Sequence, residues 1–252
     1  SERCMVVAPD MLKFFRTLGL PIREAYGLTE ASGATTMQRS DASPVGTVGV
    51  PYPGVEVKLA DDGEILIGGP VVFKGYYRNQ EATAEAIDAQ GWLHTGDIAR
   101  YEPGPDGPEL RIIDRKKDIM ITAGGKNITP SEIENALKFS PYIKEAVVVA
   151  DRRRFVSALI QIDFENVSKW ATDQGLIFTH FRSLAENQKV RDLIQKEVDR
   201  ANADMPQVQQ VRKFHMFLKE LDHDDGEVTA TMKVKRKSIY EKYAPEIEAI
   251  YA

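Results

Sequence analysis

The stretch that most limits what this chain can become is residues 114–134, DRKKDIMITAGGKNITPSEIE. Five consecutive charges, Asp114, Arg115, Lys116, Lys117 and Asp118, precede the apolar Ile119, Met120 and Ile121. A run with no apolar face to bury reads as an exposed connector, here leading into a buried strand. Gly124 and Gly125 mark a turn, and a helix start follows: Thr129 at the N-cap, Pro130 at the first helical position and Glu132 where a capping box places its acid. Ile128 and Ile133 fall at the two hydrophobic-staple positions. The pattern predicts a joint between two domains, with boundaries at 1–113, a hinge at 114–118 and a second domain over 119–252.

With 252 residues, 42% apolar and 28% charged, the chain exceeds one average domain and has ordinary globular composition. The net charge is −5 with acids and bases interspersed, which argues against nucleic acid as a partner. A single cysteine, Cys4, excludes an internal disulfide, and the expected compartment is a reducing cytoplasm. No apolar run is long enough to span a bilayer and no signal-peptide pattern is present, so peripheral contact with a membrane is the form of membrane association left open. His94, His180, His215 and His223 show no metal-ligand spacing.

Periodicity predicts a strand over Met5–Ala8 and a helix over Asp10–Leu18 with Met11, Phe14, Phe15 and Leu18 on one face. A strand over Ile22–Ala25 and a long loop from Glu30 to Val45 follow. Val55, Val57 and Leu59, then Ile65 and Ile67, alternate around the turn residues Asp61, Asp62 and Gly63, as in a hairpin of a small β-rich subdomain. Asn79 caps a short helix reaching Ile87. Strand-like pieces at 92–93, 97–101 and 110–113 flank a loop over Glu102–Pro108. Beyond the hinge the pattern predicts a helix over Pro130–Phe139, strands over 146–149 and over 156–162 with one buried face, and a helix capped by Asn187. A strand over Val211–Leu218, an acidic loop over Asp222–Glu227 and a basic helix over Val234–Tyr243 complete it. The fold class is α+β.

Four stretches in order, YGLTE (26–30), GWLHTGD (91–97), the 114–134 segment and GEVTATMKVKRK (226–237), resemble the motifs of the adenylate-forming enzymes. That superfamily comprises acyl-CoA synthetases, luciferase and peptide-synthetase adenylation domains, and the last stretch is similar to the long-chain fatty acid–CoA ligase form. A glycine- and Ser/Thr-rich phosphate loop, which the family carries before YGLTE, is absent from the sequence. The resemblance therefore implies the C-terminal portion of such a ligase. Its parts would be the end of the large AMP-binding domain, including the β-rich subdomain, and a compact mobile C-terminal domain.

The implied reaction joins a fatty acid to the α-phosphate of ATP with Mg²⁺, then passes the acyl group to coenzyme A. The resemblance assigns Tyr26 to the adenine, Gly27 to close backbone approach, Thr29 to a phosphate oxygen and Glu30 to Mg²⁺. These are suitable chemistries: an aromatic face stacks on a purine and a carboxylate is a hard oxygen ligand. Asp97 would accept from the ribose hydroxyls and Arg115 would donate to them. Lys117 would be the hinge pivot. Gly124, Gly125 and Lys126 would line the coenzyme A channel, and Lys233 would be the catalytic cation at the α-phosphate. Met232 stands where the family more often has glycine, and Lys235 remains the alternative to Lys233. Two other readings stay open. An adenylating enzyme could deliver the acyl group to a carrier protein, or a non-catalytic module could dock through its basic tail. For the 252 residues alone, no turnover is expected.

Overall fold

The computed structural model describes residues 9–230 and 232–252, with side chains from Met11 onward. The strand expected over Met5–Ala8 lies outside the described residues, as do Cys4 and Thr231. The contacts divide the chain into two compact units, one ending at Asp118 and one running Ile119–Ala252. Both mix helices with mainly antiparallel strands, an α+β fold.

The first unit opens with α1 (Pro9–Thr17). It turns Leu12 inward and leaves Met11, Phe14 and Leu18 exposed, which differs from the expected apolar face. The reason is Arg16, one turn after Leu12 on the same face. Its guanidinium donates to the Ser43 carbonyl at 2.7 Å and to Gln38 Oε1 at 3.1 Å, fixing the helix by the Leu12 side.

A three-stranded antiparallel sheet follows in the order β1 (Ala25–Leu28), β2 (Gly33–Met37), β3 (Val50–Pro51). Tyr26 thus lies inside a strand rather than after one, and part of the expected loop is β2. A second antiparallel sheet runs β4 (Glu56–Leu59), β5 (Glu64–Gly68), β6 (Leu93–Gly104), β7 (Gly107–Arg115). Here the expected fragments merge into one long hairpin, with Gly104 opposite Gly107, so the turn is only Pro105 and Asp106. The alternation around Asp61–Gly63 forms the β4–β5 hairpin. Between β5 and β6, α2 (Gln80–Ala86) is capped by Asn79, whose side chain accepts from Ala82 N at 3.0 Å. Tyr26, Leu28, Ile65, Ile67, Leu93 and Leu110 share one core, which joins both sheets behind the candidate residues.

The second unit starts with a short hairpin, β8 (Met120–Ile121) and β9 (Asn127–Ile128), and α3 (Pro130–Lys138). Pro130 occupies the helix start, but Thr129 makes no side-chain cap bond, so the expected capping box is not formed. The buried Ile128 and Ile133 join the same core and hold the entry angle instead. The central sheet has the order β10 (Ile143–Val149), β11 (Val156–Ile162), β12 (Val211–Met216), with β10 antiparallel and β12 parallel to β11. The parallel crossover contains α4 (Phe164–Asp173), α5 (Phe181–Ala185) and α6 (Gln188–Ala203), the last capped by Asn187.

All seven residues of β11 are buried, where one buried face was expected. Ala158, Ile160 and Ile162 face α3, α4 and α6; Leu159 faces α7 (Arg236–Lys242) and α8 (Ala244–Tyr251). The polar residues on that second face are satisfied locally: Ser157 Oγ lies 2.8 Å from the Tyr251 hydroxyl and Gln161 Oε1 accepts from Leu221 N at 3.1 Å. The basic helix begins at Arg236 rather than Val234, because Val234 bridges Val228 as a strand pair.

Candidate functional site

In the first unit, β1 and the 3-10 turn Thr29–Ala31 present YGLTE. Tyr26 is buried, and its hydroxyl donates to Asp97 Oδ2 at 2.6 Å. Asp97 is also buried, on β6 directly opposite Arg115 on β7. Opposed residues of an antiparallel pair share a face, so Asp97 and Arg115 stand side by side. The Arg115 guanidinium has no hydrogen-bond or ion-pair partner among the described residues. Gly27 sits at a register shift between β1 and β2, where a Cβ would meet the Gly33 carbonyl oxygen at 1.8 Å. The close approach that requires glycine here is that of β2. Thr29 is exposed, and its hydroxyl makes no hydrogen bond among the described residues.

Glu30 has one engaged and one idle oxygen. Oε1 accepts from the Tyr76 hydroxyl at 2.9 Å, while Oε2 is buried without a hydrogen-bond partner.

Within the charged run, Asp114 and Arg115 end β7 and the Lys116 side chain is anchored next to them. Lys116 Nζ donates to Glu64 Oε2 at 3.1 Å and pairs with Asp62, and its backbone N donates to the Gly96 carbonyl at 2.9 Å. Glu64 also accepts from Gly96 N at 2.9 Å. Burial by itself would raise Glu64, but Lys116, the Gly96 N–H and His94 outweigh it and hold the carboxyl below its ordinary range. The adjacent Lys117 is exposed and has no side-chain partner among the described residues.

In the second unit, the turn carrying Gly124, Gly125 and Lys126 is closed by Gly125 N to Thr122 O at 2.9 Å and Lys126 N to Thr122 Oγ1 at 3.1 Å. The β10–β11 turn supports it, through Arg152 N to Ile121 O at 2.7 Å and Ala123 N to Arg153 O at 2.9 Å. Gly125 adopts φ +72°, a left-handed conformation suited to glycine; a Cβ at Gly124 would touch only Thr122 Oγ1, at 3.9 Å. Lys126 is exposed.

Lys233 stands on a second hairpin. Thr229 N donates to its carbonyl at 2.8 Å, its own N donates to Thr229 Oγ1 at 3.1 Å, and Met232 N closes the turn onto Thr229 O at 2.8 Å. The Lys233 side chain is exposed with no partner among the described residues. Lys235, equally exposed, sits at the N-cap of α7. Behind them lies Glu227, fully buried although its segment reads as an acidic loop. It accepts from Lys219 at 2.8 Å, the Tyr243 hydroxyl at 3.0 Å and Asp222 N at 3.0 Å, and pairs with Lys242 at 2.7 Å. Its backbone carbonyl receives Lys235 N at 2.8 Å. Burial pushes Glu227 upward, yet the two lysines prevail and hold it below its ordinary range.

The family description "AMP-binding enzyme C-terminal domain" matches residues 117–252, more than half of the chain, and "AMP-binding enzyme" matches residues 5–77. The chain belongs to the AMP-binding enzyme family. The long-chain-fatty-acid–CoA ligase FadD15 of Mycobacterium bovis is 43% identical over 239 residues, 94% of this chain and 39% of that protein. The human long-chain-fatty-acid–CoA ligase 6 is 32% identical over 97% of this chain and 37% of its own length. The adenylation domain of a carboxylate reductase from Mycobacterium chelonae has TM-score 0.77 and 25% identity, covering 97% of this chain and 37% of that one. The chain thus spans well under half the length of these AMP-binding relatives.

Among the described residues of this chain, no cluster of three or more His, Cys, Asp or Glu could hold a metal, and no helix is long and apolar enough to cross a membrane. Glu30 nevertheless fits a magnesium ion held together with substrate phosphates, a mode that needs only one or two carboxylates. A buried carboxylate oxygen without a donor is the acceptor such an ion would satisfy. Sequence reasoning missed Tyr76, Glu64 and Glu227. For Glu64 the turn residues Asp61–Gly63 offered a signal, since they place it at the start of β5.

Proposed function

We propose that these residues form the ribose, metal, hinge and catalytic-lysine parts of an ATP-dependent fatty acid–CoA ligase. In the first half-reaction a fatty acid carboxylate oxygen attacks the α-phosphorus and pyrophosphate leaves. In the second, the coenzyme A thiolate attacks the acyl carbonyl and AMP leaves. The observation that carries this reading is the convergence of Tyr26, Asp97 and Arg115, remote in sequence, on one locus: a buried carboxylate with a phenol bonded to it and an arginine directly opposite on the paired strand.

In this reading Asp97 and Arg115 hold the ribose and Tyr26 lies against the adenine, with Gly27 allowing the strands to close. Thr29 donates to a phosphate oxygen. Glu30 would hold Mg²⁺, which when bound neutralises phosphate charge. Lys117 is the pivot, supported by its lack of partners beside the anchored Lys116. Lys233, extended from its hairpin, donates to the α-phosphate as negative charge concentrates. Gly124, Gly125 and Lys126 border the pantetheine passage. The domain boundary falls in the hinge at 114–118, with 119–252 as the mobile domain. The protein works in the cytoplasm, with peripheral membrane contact where fatty acids partition. The 252 residues alone, which include no phosphate loop, do not turn over.

The test is Lys233→Ala in the full-length protein. ATP–pyrophosphate exchange should fall about 10²- to 10³-fold, roughly 3–4 kcal/mol, as for loss of one oriented charge-stabilising donor. Thioester formation from preformed acyl-adenylate should persist. Equal loss of both half-reactions would remove the assigned role of Lys233. A second reading, transfer to a carrier-protein phosphopantetheine, is supported by the likeness to a carboxylate reductase adenylation domain. Supplying fatty acid with either coenzyme A or carrier protein as acceptor decides between the two.

A further inference from the structure

The two oxygens of Glu30 are treated differently by the fold, and the cause lies 46 residues later in the chain. Tyr76 occupies one of them. A carboxylate on a flexible stem offers two equivalent oxygens and rotates freely, so as a metal ligand it loses rotational freedom on binding. A hydrogen bond to one oxygen removes that freedom in advance. A phenol does so without bringing a positive charge that would compete with the cation.

Tyr76 is itself held in a frame. Its backbone N donates to Thr83 Oγ1 at 2.9 Å, and that hydroxyl donates to the Asn79 carbonyl at 2.7 Å, tying the tyrosine to the start of α2. Gly75 sits at φ +136°, where a Cβ would meet Thr83 Cγ2 at 2.5 Å, so the chain passes close against the helix. The Tyr76 ring packs edge-on to Phe73 with centroids 4.9 Å apart. The same segment is stitched to the turn carrying Glu30 by Phe73 N to Glu30 O at 2.8 Å and Ser32 Oγ to Val71 O at 2.8 Å. Backbone and side chain of Glu30 are therefore both fixed by residues 71–76.

We propose that Tyr76 is a positioning residue that locks the Glu30 carboxylate through Oε1 and presents Oε2 to the divalent cation, with Gly75 and Thr83 as the supporting frame. This rests on the reading of Glu30 as the Mg²⁺ ligand. Hydrogen-bond partners of ligating carboxylates commonly contribute tenfold or more to metal affinity.

The experiment titrates Mn²⁺ into the full-length protein with ATP, reading free Mn²⁺ by electron paramagnetic resonance, for the wild type, Tyr76→Phe, Thr83→Val and Glu30→Gln. Tyr76→Phe should weaken Mn²⁺ about tenfold, and should raise the KM for Mg²⁺ more than it lowers kcat. Thr83→Val, which keeps the phenol but releases its backbone, should weaken Mn²⁺ several-fold, and it carries the test if Tyr76→Phe folds poorly. Loss of Mn²⁺ binding in Glu30→Gln, with wild-type affinity in both other variants, overturns the role of Tyr76 and leaves Glu30 as the ligand. Wild-type affinity in Glu30→Gln, or no protein-bound Mn²⁺ in the wild type, overturns the metal reading of Glu30 and the proposal with it.

Discussion

The hydroxyl of Tyr26 on β1 donates a 2.6 Å hydrogen bond to Oδ2 of Asp97 on β6, joining two sheets of the first unit through two buried side chains. Removing the donor takes one hydrogen bond from a buried carboxylate. Tyr26→Phe should therefore cost roughly 1.5–3 kcal/mol, the range for a hydrogen bond to a charged group. Urea denaturation of the variant beside the wild type measures it, and an unchanged midpoint would mean water replaces the phenol.

Gly27→Ala tests the close packing of β1 on β2. An added methyl would overlap the Gly33 carbonyl oxygen, at 1.8 Å, and a backbone atom cannot rotate aside. The loss should be about 3 kcal/mol or more, at the upper end of overpacking costs. The same denaturation experiment reads it.

Met232 has φ +59°, a left-handed conformation that is costly for any residue with a Cβ. Met232→Gly removes that strain, offset in part by the greater freedom of glycine in the unfolded chain. A net gain of about 1 kcal/mol is expected, seen as a higher melting midpoint or slower amide exchange at Thr229 and Lys233.

Two buried carboxyls should respond to pH with opposite sign. Glu227 is held below its ordinary value of 4.5 by Lys219 and Lys242 against the effect of burial, so its contribution is full above that value and is lost as pH falls through the folded-state pKa. Glu24 is pushed upward by burial, so its contribution is present below 4.5 and is lost as pH rises through the folded-state pKa. Melting curves of Glu227→Gln and Glu24→Gln against the wild type between pH 3 and 8 should show the gap to Glu227→Gln closing on acidification. The gap to Glu24→Gln should change the other way. Parallel trends would contradict the opposed environments.

Much of the fold was legible wherever a local signal sufficed. Asn79 and Asn187 each cap the helix they precede, and the alternation of Val57, Leu59, Ile65 and Ile67 is a hairpin. Signals failed where a distant partner decided the outcome. β6 reads as fragments because it carries a register shift at Ile98 and ends with Pro103 and Gly104, yet β7 pairs with it from Asp97 through Gly104. β11 reads as half-buried because Ser157 and Gln161 are polar, but Tyr251 and Leu221 arrive from far along the chain to satisfy them. The motif residues Tyr26, Glu30, Asp97 and Lys233 are visible in sequence. Their supports, Tyr76 for Glu30 and Glu227 for the lysine hairpin, become visible only when strands and turns bring them into range.

The Tyr251 hydroxyl reaches Ser157 Oγ at 2.8 Å and also donates toward the Val149 carbonyl at 2.9 Å, so one phenol is shared by β10 and β11. During synthesis those strands leave the ribosome roughly a hundred residues before their cover does. One side of the sheet then remains bare until α7 and α8 have emerged to cover it, so closure of this unit trails the formation of its strands.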